Sequence, residues 1–159
     1  MNEILTKISS YNLFNYLFSG IIFVVLCKFI TPYDFIQSDP IIGLFLYYFI
    51  GLAISRVGSI IVEPTLKKIG FIKFVDYKDY LIVSKDDPKL EILSEANNMY
   101  RTLTSVFIIL GFTKIYGVIE FEYNINGGIY ILFTLLLIIF LFAHRKQSAY
   151  IVKIINSKK

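Results

Sequence analysis

The sequence lacks the residues from which most metal centres and disulfide scaffolds are built. It has one cysteine, Cys27, one histidine, His144, and no tryptophan. A lone cysteine cannot close an intrachain disulfide, and one cysteine with one histidine falls short of the four ligands that a structural zinc site uses. We therefore expect neither a disulfide-stapled extracellular fold nor a metal or other cofactor.

Charged residues are also scarce. They make up 18% of the 159 residues, whereas 56% are hydrophobic, and the mean hydropathy is +0.65. The apolar residues stand in long runs instead of alternating with polar ones, so one water-surrounded core cannot bury them all. Lipid is the solvent that such runs require, and basic flanks of membrane spans explain the net charge of +4.

Four apolar runs have about the length that a membrane crossing requires. They cover about residues 13–30, 41–62, 103–119 and 129–143. Thr31-Pro32 ends the first run, and Pro64 is expected to break or kink the second helix where it leaves the bilayer. Polar residues from Glu120 to Gly128 predict a turn before the fourth run. The predicted fold is an all-α, polytopic membrane protein with about four transmembrane helices and cytoplasmic helical extensions, in one membrane domain over residues 1–159.

Residues 63–101 connect the second and third spans. Asp87-Pro88 is typical of a helix start, with an N-cap followed by proline at the first helical position. From there, spacings of three and four predict one unbroken helix of about 48 Å up to Ile119, longer than the hydrocarbon core of about 30 Å. The tail after His144 keeps apolar residues, which predicts that the fourth helix also extends beyond the lipid.

The distribution of basic residues predicts the orientation. Of the 16 lysines and arginines, one precedes the first span, seven lie between the second and third spans, and five follow the fourth. The other two connections are short and acidic. By the positive-inside rule both termini and the segment 63–101 lie in the cytoplasm.

Arg56 is the most informative residue within the spans, because a guanidinium at membrane depth is costly and by default marks a functional site. Counted from Ile41, it lies about 23 Å along the second helix and about 7 Å short of the membrane boundary. One interpretation is that its side chain extends toward the cytoplasm and pairs with Glu63 or Glu95.

The neighbours of Arg56 suggest other roles. Ser55, Gly58 and Ser59 are small, and small residues let helices approach closely in lipid and share hydrogen bonds. With Arg56 they are candidates for a packed helix interface, for a pore or for the wall of a ligand site.

A second polar group precedes the third span. Asn97 and Arg101 are four residues apart and share one helix face. Glu95 and Asn98 are three residues apart and share another face, and Tyr100 belongs to the same polar stretch. These five residues are either an ordinary solvated helix entrance or a cytoplasmic vestibule or docking site for a partner.

Patterns that carry catalysis are missing. The sequence has no glycine-rich phosphate loop, no His-Glu-x-x-His and no Gly-x-Ser-x-Gly. The spans contain no aspartate to supply the paired carboxylates of an intramembrane protease. Acidic residues balance the basic ones of the segment 63–101, so direct binding of nucleic acid is not expected. We expect a protein that is not an enzyme.

Four strings of the sequence carry a resemblance. They are Tyr11-Asn12-Leu13-Phe14-Asn15, Ser55-Arg56-Val57-Gly58-Ser59, Asn97-Asn98-Met99-Tyr100-Arg101 and Arg145-Lys146-Gln147-Ser148-Ala149-Tyr150. With them the chain resembles small multi-pass membrane proteins of bacterial genomes, some of which accompany antiphage systems, including accessory membrane proteins of type VI-B CRISPR loci. The resemblance implies an inner-membrane accessory or effector that oligomerises and perturbs the membrane when a cytoplasmic partner senses infection.

Three functions remain open on the sequence. The first is a homo-oligomeric, channel-like or membrane-perturbing effector. The second is a membrane-anchored scaffold that recruits a soluble cytoplasmic partner. The third is a transporter of a lipid or small molecule in which Arg56 and Arg101 hold a phosphate. All three have the lipid bilayer as a partner.

Overall fold

The computed structural model describes residues 2–84, 87, 89–123 and 128–157, and in this part of the chain every regular element is helical. The elements are α1 (Asn2–Ile30), α2 (Pro40–Val57), a π-helical turn (Gly58–Val62), α3 (Glu63–Lys68), α4 (Tyr77–Val83), α5 (Lys89–Tyr123) and α6 (Gly128–Ser157). Four helices are long and apolar enough to cross a membrane: Ser10–Ile30, Pro40–Lys68, Lys89–Tyr123 and Tyr130–Asn156. The predicted all-α fold with four membrane-spanning helices is therefore confirmed.

The second span is one continuous helical rod made of α2, the π-helical turn and α3. It starts at Asp39, whose carboxylate accepts the N–H groups of Ile41 and Ile42 at 2.8 and 3.1 Å. The expected break at Pro64 is absent, because the helix continues to Lys68. The irregularity lies just before the proline, where the turn widens so that the Glu63 N–H donates to the Gly58 carbonyl oxygen.

Helix α5 is unbroken over 35 residues, which is about 52 Å. Asp87 accepts the Lys89 N–H at 2.9 Å at its start, whereas Pro88 lies outside the described residues. The helix extends past Ile119 to Tyr123. Glu120 and Glu122 are therefore helical and do not belong to the predicted turn, because nothing between Ile119 and Tyr123 interrupts the backbone hydrogen bonds. Residues 124–127 of that turn lie outside the described part.

The core lies between α1, α2 and α5. Val24 and Cys27 of α1, Ile54 of α2, and Val106 and Leu110 of α5 are buried against one another. Helix α6 lies at the side, against α2 and the π-helical turn, with Phe140 stacked on Phe49 at 5.9 Å between ring centroids. No residue of its apolar stretch is buried in the chain.

Short helix α4 joins the projecting ends of the long helices. The Tyr80 hydroxyl donates to the Ser94 hydroxyl of α5 at 3.3 Å, and the Tyr77 ring lies 6.2 Å from the Tyr150 ring of α6. We call this end of the bundle, where α1 begins, α6 ends and α4 lies, the terminal end.

The opposite end is closed by the connection between α1 and α2. The Tyr33 hydroxyl donates to the Glu120 carboxylate of α5. Burial, and then this carboxylate, raise the pKa of Tyr33 above its ordinary value. Lys28 and Asp34 form an ion pair at 3.0 Å in the same connection.

Candidate functional site

A series of amide and hydroxyl groups runs through the interface of α1, α2 and α5. The Asn15 side-chain amide donates to the Thr102 hydroxyl at 3.4 Å, and the Thr102 and Ser55 hydroxyls lie 3.3 Å apart. Thr102 donates to the Asn98 carbonyl oxygen at 2.9 Å. Asn15, Ser55 and Thr102 are at most 4% exposed. Ser55, a candidate from the sequence, therefore lies in a joint between three helices.

Gly58 contributes to this joint through its missing side chain. A Cβ at this position would lie 2.6 Å from the Ser105 hydroxyl oxygen of α5. Ser105 is fully buried and donates to the Arg101 carbonyl oxygen at 2.8 Å. The second span and α5 thus approach closely at a pair of small residues, which is how helices associate in lipid.

Arg56 lies at the edge of the joint and turns toward α1. Its Nη2 donates to the Tyr16 hydroxyl at 3.1 Å, and its Cζ lies 6.0 Å from the centroid of the Tyr16 ring. Among the described residues the ion pairs of Glu63 are with Lys67 and Arg101, and neither Glu63 nor Glu95 pairs with Arg56. The expected carboxylate partner was wrong because Glu63 lies about 10 Å further along the helix axis.

Glu63 is a buried carboxylate near the terminal end that forms ion pairs with a partly buried arginine and an exposed lysine. It is 7% exposed, and it accepts hydrogen bonds from Arg101 Nη1 at 2.7 Å and from Lys67 Nζ at 3.0 Å. The sequence did show Lys67 four residues after Glu63, a spacing that favours pairing on a helix. The approach of Arg101, 38 residues away, was not visible there.

Ser59 is held by a residue that the sequence did not single out. Lys146 of α6 donates its Nζ to the Ser59 carbonyl oxygen at 2.6 Å and to the Ser59 hydroxyl at 2.7 Å. The two helical donors that could reach this carbonyl are the N–H groups of Glu63 and residue 64. Glu63 donates to Gly58 instead, and Pro64 has no N–H. The lysine therefore supplies the hydrogen bond that the proline removes.

A groove of about 270 Å³ opens beside this contact, between α6 and the second span. Its walls are formed by both helices and consist of Ser59, Ile60, Pro64, Phe142, Arg145, Lys146 and Ala149. It combines apolar side chains with two cationic ones.

The five polar residues at the start of α5 do not form one vestibule. Asn97 and Tyr100 are exposed, whereas Arg101 turns inward to Glu63. The Glu95 carbonyl oxygen accepts the Tyr11 hydroxyl of α1, and the carbonyl of Asn98 accepts Thr102. Helix α1 extends along the same stretch of α5 and covers part of it, so the five residues do not share one exposed face, and their role as a docking site stays a prediction.

The arrangement connects α1, the second span, α5 and α6 through polar contacts. Among the residues that the structure describes, no three His, Cys, Asp or Glu side chains are placed to hold a metal ion. Comparison of the chain with protein-family models, with curated proteins and with solved structures finds no match. The functional interpretation therefore depends on the contacts of the chain itself.

Proposed function

We propose that this protein is a non-enzymatic, membrane-anchored scaffold whose segment 69–83 binds a soluble protein at the membrane surface. One observation carries the proposal. The segment lies outside all four helices that could cross a membrane, yet it exposes large apolar side chains by 64–76%: Ile69, Phe71, Val75 and Ile82. Contact with lipid accounts for exposed apolar side chains within the spans. The exposed apolar side chains of segment 69–83 lie outside the spans, so a different contact must shield them from water.

The charges of the segment favour a protein over a lipid surface as the partner that binds these apolar side chains. Lys73 and Lys78 are matched by Asp76 and Asp79. An interfacial helix that binds anionic lipid has a polar face rich in lysine and arginine, which this segment lacks. Contacts of Tyr77 and Tyr80 hold α4, which carries Ile82, against both α6 and α5, and Ile69, Phe71 and Val75 lie in the connection that precedes α4.

The setting of the partner follows from the charge distribution and the resemblance. The excess of basic residues beside the spans favours a cytoplasmic position of the terminal end by the positive-inside rule. The resemblance to membrane proteins that accompany antiphage systems makes a component of an RNA-guided antiviral system the first partner to test.

The test is recovery of a defined partner after crosslinking in native membranes. The double variant Phe71→Ser/Val75→Ser is expected to lose the partner that the natural chain recovers, because it removes apolar contact area. The matched control Lys73→Ala/Lys78→Ala changes the same segment without changing its apolar surface and is expected to retain the partner. Equal recovery by the natural chain and the serine variant, with both proteins in the membrane, contradicts the proposal.

A second candidate is a homo-oligomeric, channel-like effector, and helix α6 favours it. The apolar stretch of α6 packs on one side only and buries none of its residues within the chain, so its outer face is available to a second copy. Because Ser55 and Thr102 face each other inside one chain, a conducting path would have to form between copies. The mass of the detergent-solubilised protein, followed by dye release from liposomes, tests this candidate. A monomer that leaves liposomes tight under every condition contradicts it.

Transport of a lipid or small molecule has less support. That alternative requires Arg56 and Arg101 to hold a phosphate together. Arg56 instead donates to Tyr16, and Arg101 pairs with Glu63, so both guanidinium groups are engaged within the chain.

A further inference from the structure

The residues of the groove beside Lys146 are ordered along the axes of the two helices that form it. The second span and α6 both run toward the terminal end, so Ile60 and Phe142 line the part of the groove nearer the membrane centre. Pro64 and Ala149 line the part nearer the terminal end, and Arg145 and Lys146 lie between the two. An apolar wall thus leads to two cations that closely follow the apolar run of about residues 129–143.

The positive charge at this place is not neutralised within the described residues. Lys146 uses two of its donors on the neutral oxygens of Ser59, which leaves the third available. Glu63 is already paired with Arg101 and Lys67. Arg145 is exposed and belongs to no ion pair of the described residues.

Other cations strengthen the local field. Lys146 lies within electrostatic reach of Arg101, Lys67 and Arg56, all of like charge, and of the single carboxylate of Glu63. An anion at Arg145 and Lys146 would therefore be attracted by a net positive cluster.

We propose that this groove binds the headgroup phosphate of an anionic phospholipid, with Arg145 and the third donor of Lys146 on the phosphate and an acyl chain along Ile60 and Phe142. Basic pockets between membrane helices are suited to anionic headgroups. The apolar wall favours a lipid over a free phosphate ion, which would leave that wall unused. This site lies on α6 and the second span and does not depend on the scaffold role of segment 69–83.

The test is a lipid titration of the detergent-solubilised protein followed by native mass spectrometry. Phosphatidylglycerol and phosphatidylcholine with the same acyl chains are the two probes. Arg145→Gln removes one exposed cation from the groove, and Lys153→Gln removes one exposed cation from the same helix about 12 Å away, outside the groove walls. Lys146 is left unchanged because it also supports Ser59.

We expect the natural chain to bind phosphatidylglycerol at least about fivefold more tightly than phosphatidylcholine. Arg145→Gln is expected to weaken phosphatidylglycerol binding about fivefold and phosphatidylcholine binding less, because the choline ammonium of phosphatidylcholine already offsets its phosphate charge, whereas Lys153→Gln changes neither by more than about twofold. Equal binding of the two lipids by the natural chain overturns the proposal. Equal losses in the two variants also overturn it, because they indicate diffuse surface charge. Displacement of the lipid by millimolar inorganic phosphate would also overturn the proposal, because it would indicate that the groove binds a free anion and not a lipid.

Discussion

The backbone of Gly51 lies so close to that of Tyr16 that a Cβ at Gly51 would stand 1.7 Å from the Tyr16 carbonyl oxygen. The relationship is repeated one turn away, where a Cβ at Gly20 would stand 1.8 Å from the Tyr47 carbonyl oxygen. Helices α1 and α2 therefore meet backbone to backbone, which only glycine permits. This close approach positions Tyr16 beside Arg56 and Asn15 beside the hydroxyls of the polar joint.

Substitution of Gly51 by alanine should separate α1 from α2. The added methyl group meets backbone that cannot rotate away, and overpacking of this kind costs about 1–3 kcal/mol. The buried, free thiol of Cys27 offers the measurement, since a thiol-reactive dye labels it only when the core opens. We expect Gly51→Ala to lower the temperature of half-labelling. Gly111→Ala is the control, because nothing lies within 4 Å of a Cβ there; equal shifts in the two variants would contradict the contact.

Replacement of Glu63 by glutamine should destabilise the terminal end of the bundle. It removes the carboxylate and leaves Arg101 as a partly buried, unpaired cation, a loss of about 3 kcal/mol, whereas Lys67 is exposed to solvent. A double-mutant cycle with Arg101→Met, measured by thermal unfolding in detergent, should give a double variant less unstable than the sum of the single ones. Glu91→Gln, at an exposed position of α5, should change little. Strict additivity would show that the pair contributes no coupling.

Removal of the Lys146 ammonium should lower the stability of the protein, because Pro64 has no N–H that could replace it as a donor to Ser59. Lys146→Met leaves the Ser59 carbonyl oxygen without a donor, which costs about 1–3 kcal/mol. Adding Pro64→Ala restores a backbone N–H, so the double variant should recover part of the lost stability. Lys153→Met, on the same helix, is the control for the loss of a lysine. If Pro64→Ala makes the Lys146→Met protein less stable, the proline is not the reason for the contact.

Alkaline pH should weaken the closure at the opposite end through Tyr33. Its pKa is raised in the folded protein by burial and by Glu120, so its contribution to stability is complete below the ordinary tyrosine pKa of about 10. The contribution is lost as the pH rises above that value, toward the folded pKa. Melting followed by circular dichroism from pH 8 to 11 should show a smaller alkaline fall in Tyr33→Phe than in the natural chain. Tyr130→Phe, at an exposed position, should keep the full fall.

Much of the fold could be predicted because the bilayer imposes it. Apolar runs of membrane length predict helices, since a spanning segment must satisfy its own backbone hydrogen bonds. The absence of proline between Lys89 and Tyr123 and the spacing of three and four predicted the unbroken α5. The π-helical turn escaped prediction because Pro64 was expected to break or kink the helix at its own position, whereas the irregularity lies in the turn before it.

The partners of the candidate residues could not be predicted in the same way. Ser55, Gly58 and Ser59 were identified as small residues suited to close packing, yet the sequence did not tell that Ser59 meets Lys146, 87 residues away, or that Gly58 meets Ser105. One interpretation of Arg56 paired it with a carboxylate because of its charge, whereas the tyrosine that it contacts carries no charge. Gly51 was not singled out at all.

The sequence alone determined that this chain forms four long apolar helices, with basic residues gathered beside the same ends of the spans. The tertiary structure decided how each helix is rotated about its axis and which helix it meets. The physical reason is that lipid and protein interior are equally apolar, so hydrophobicity does not tell a lipid-facing side chain from a packed one. Only the close approach at Gly20 and Gly51 and the polar contacts of Glu63 and Lys146 select the rotation that builds the joint and the groove.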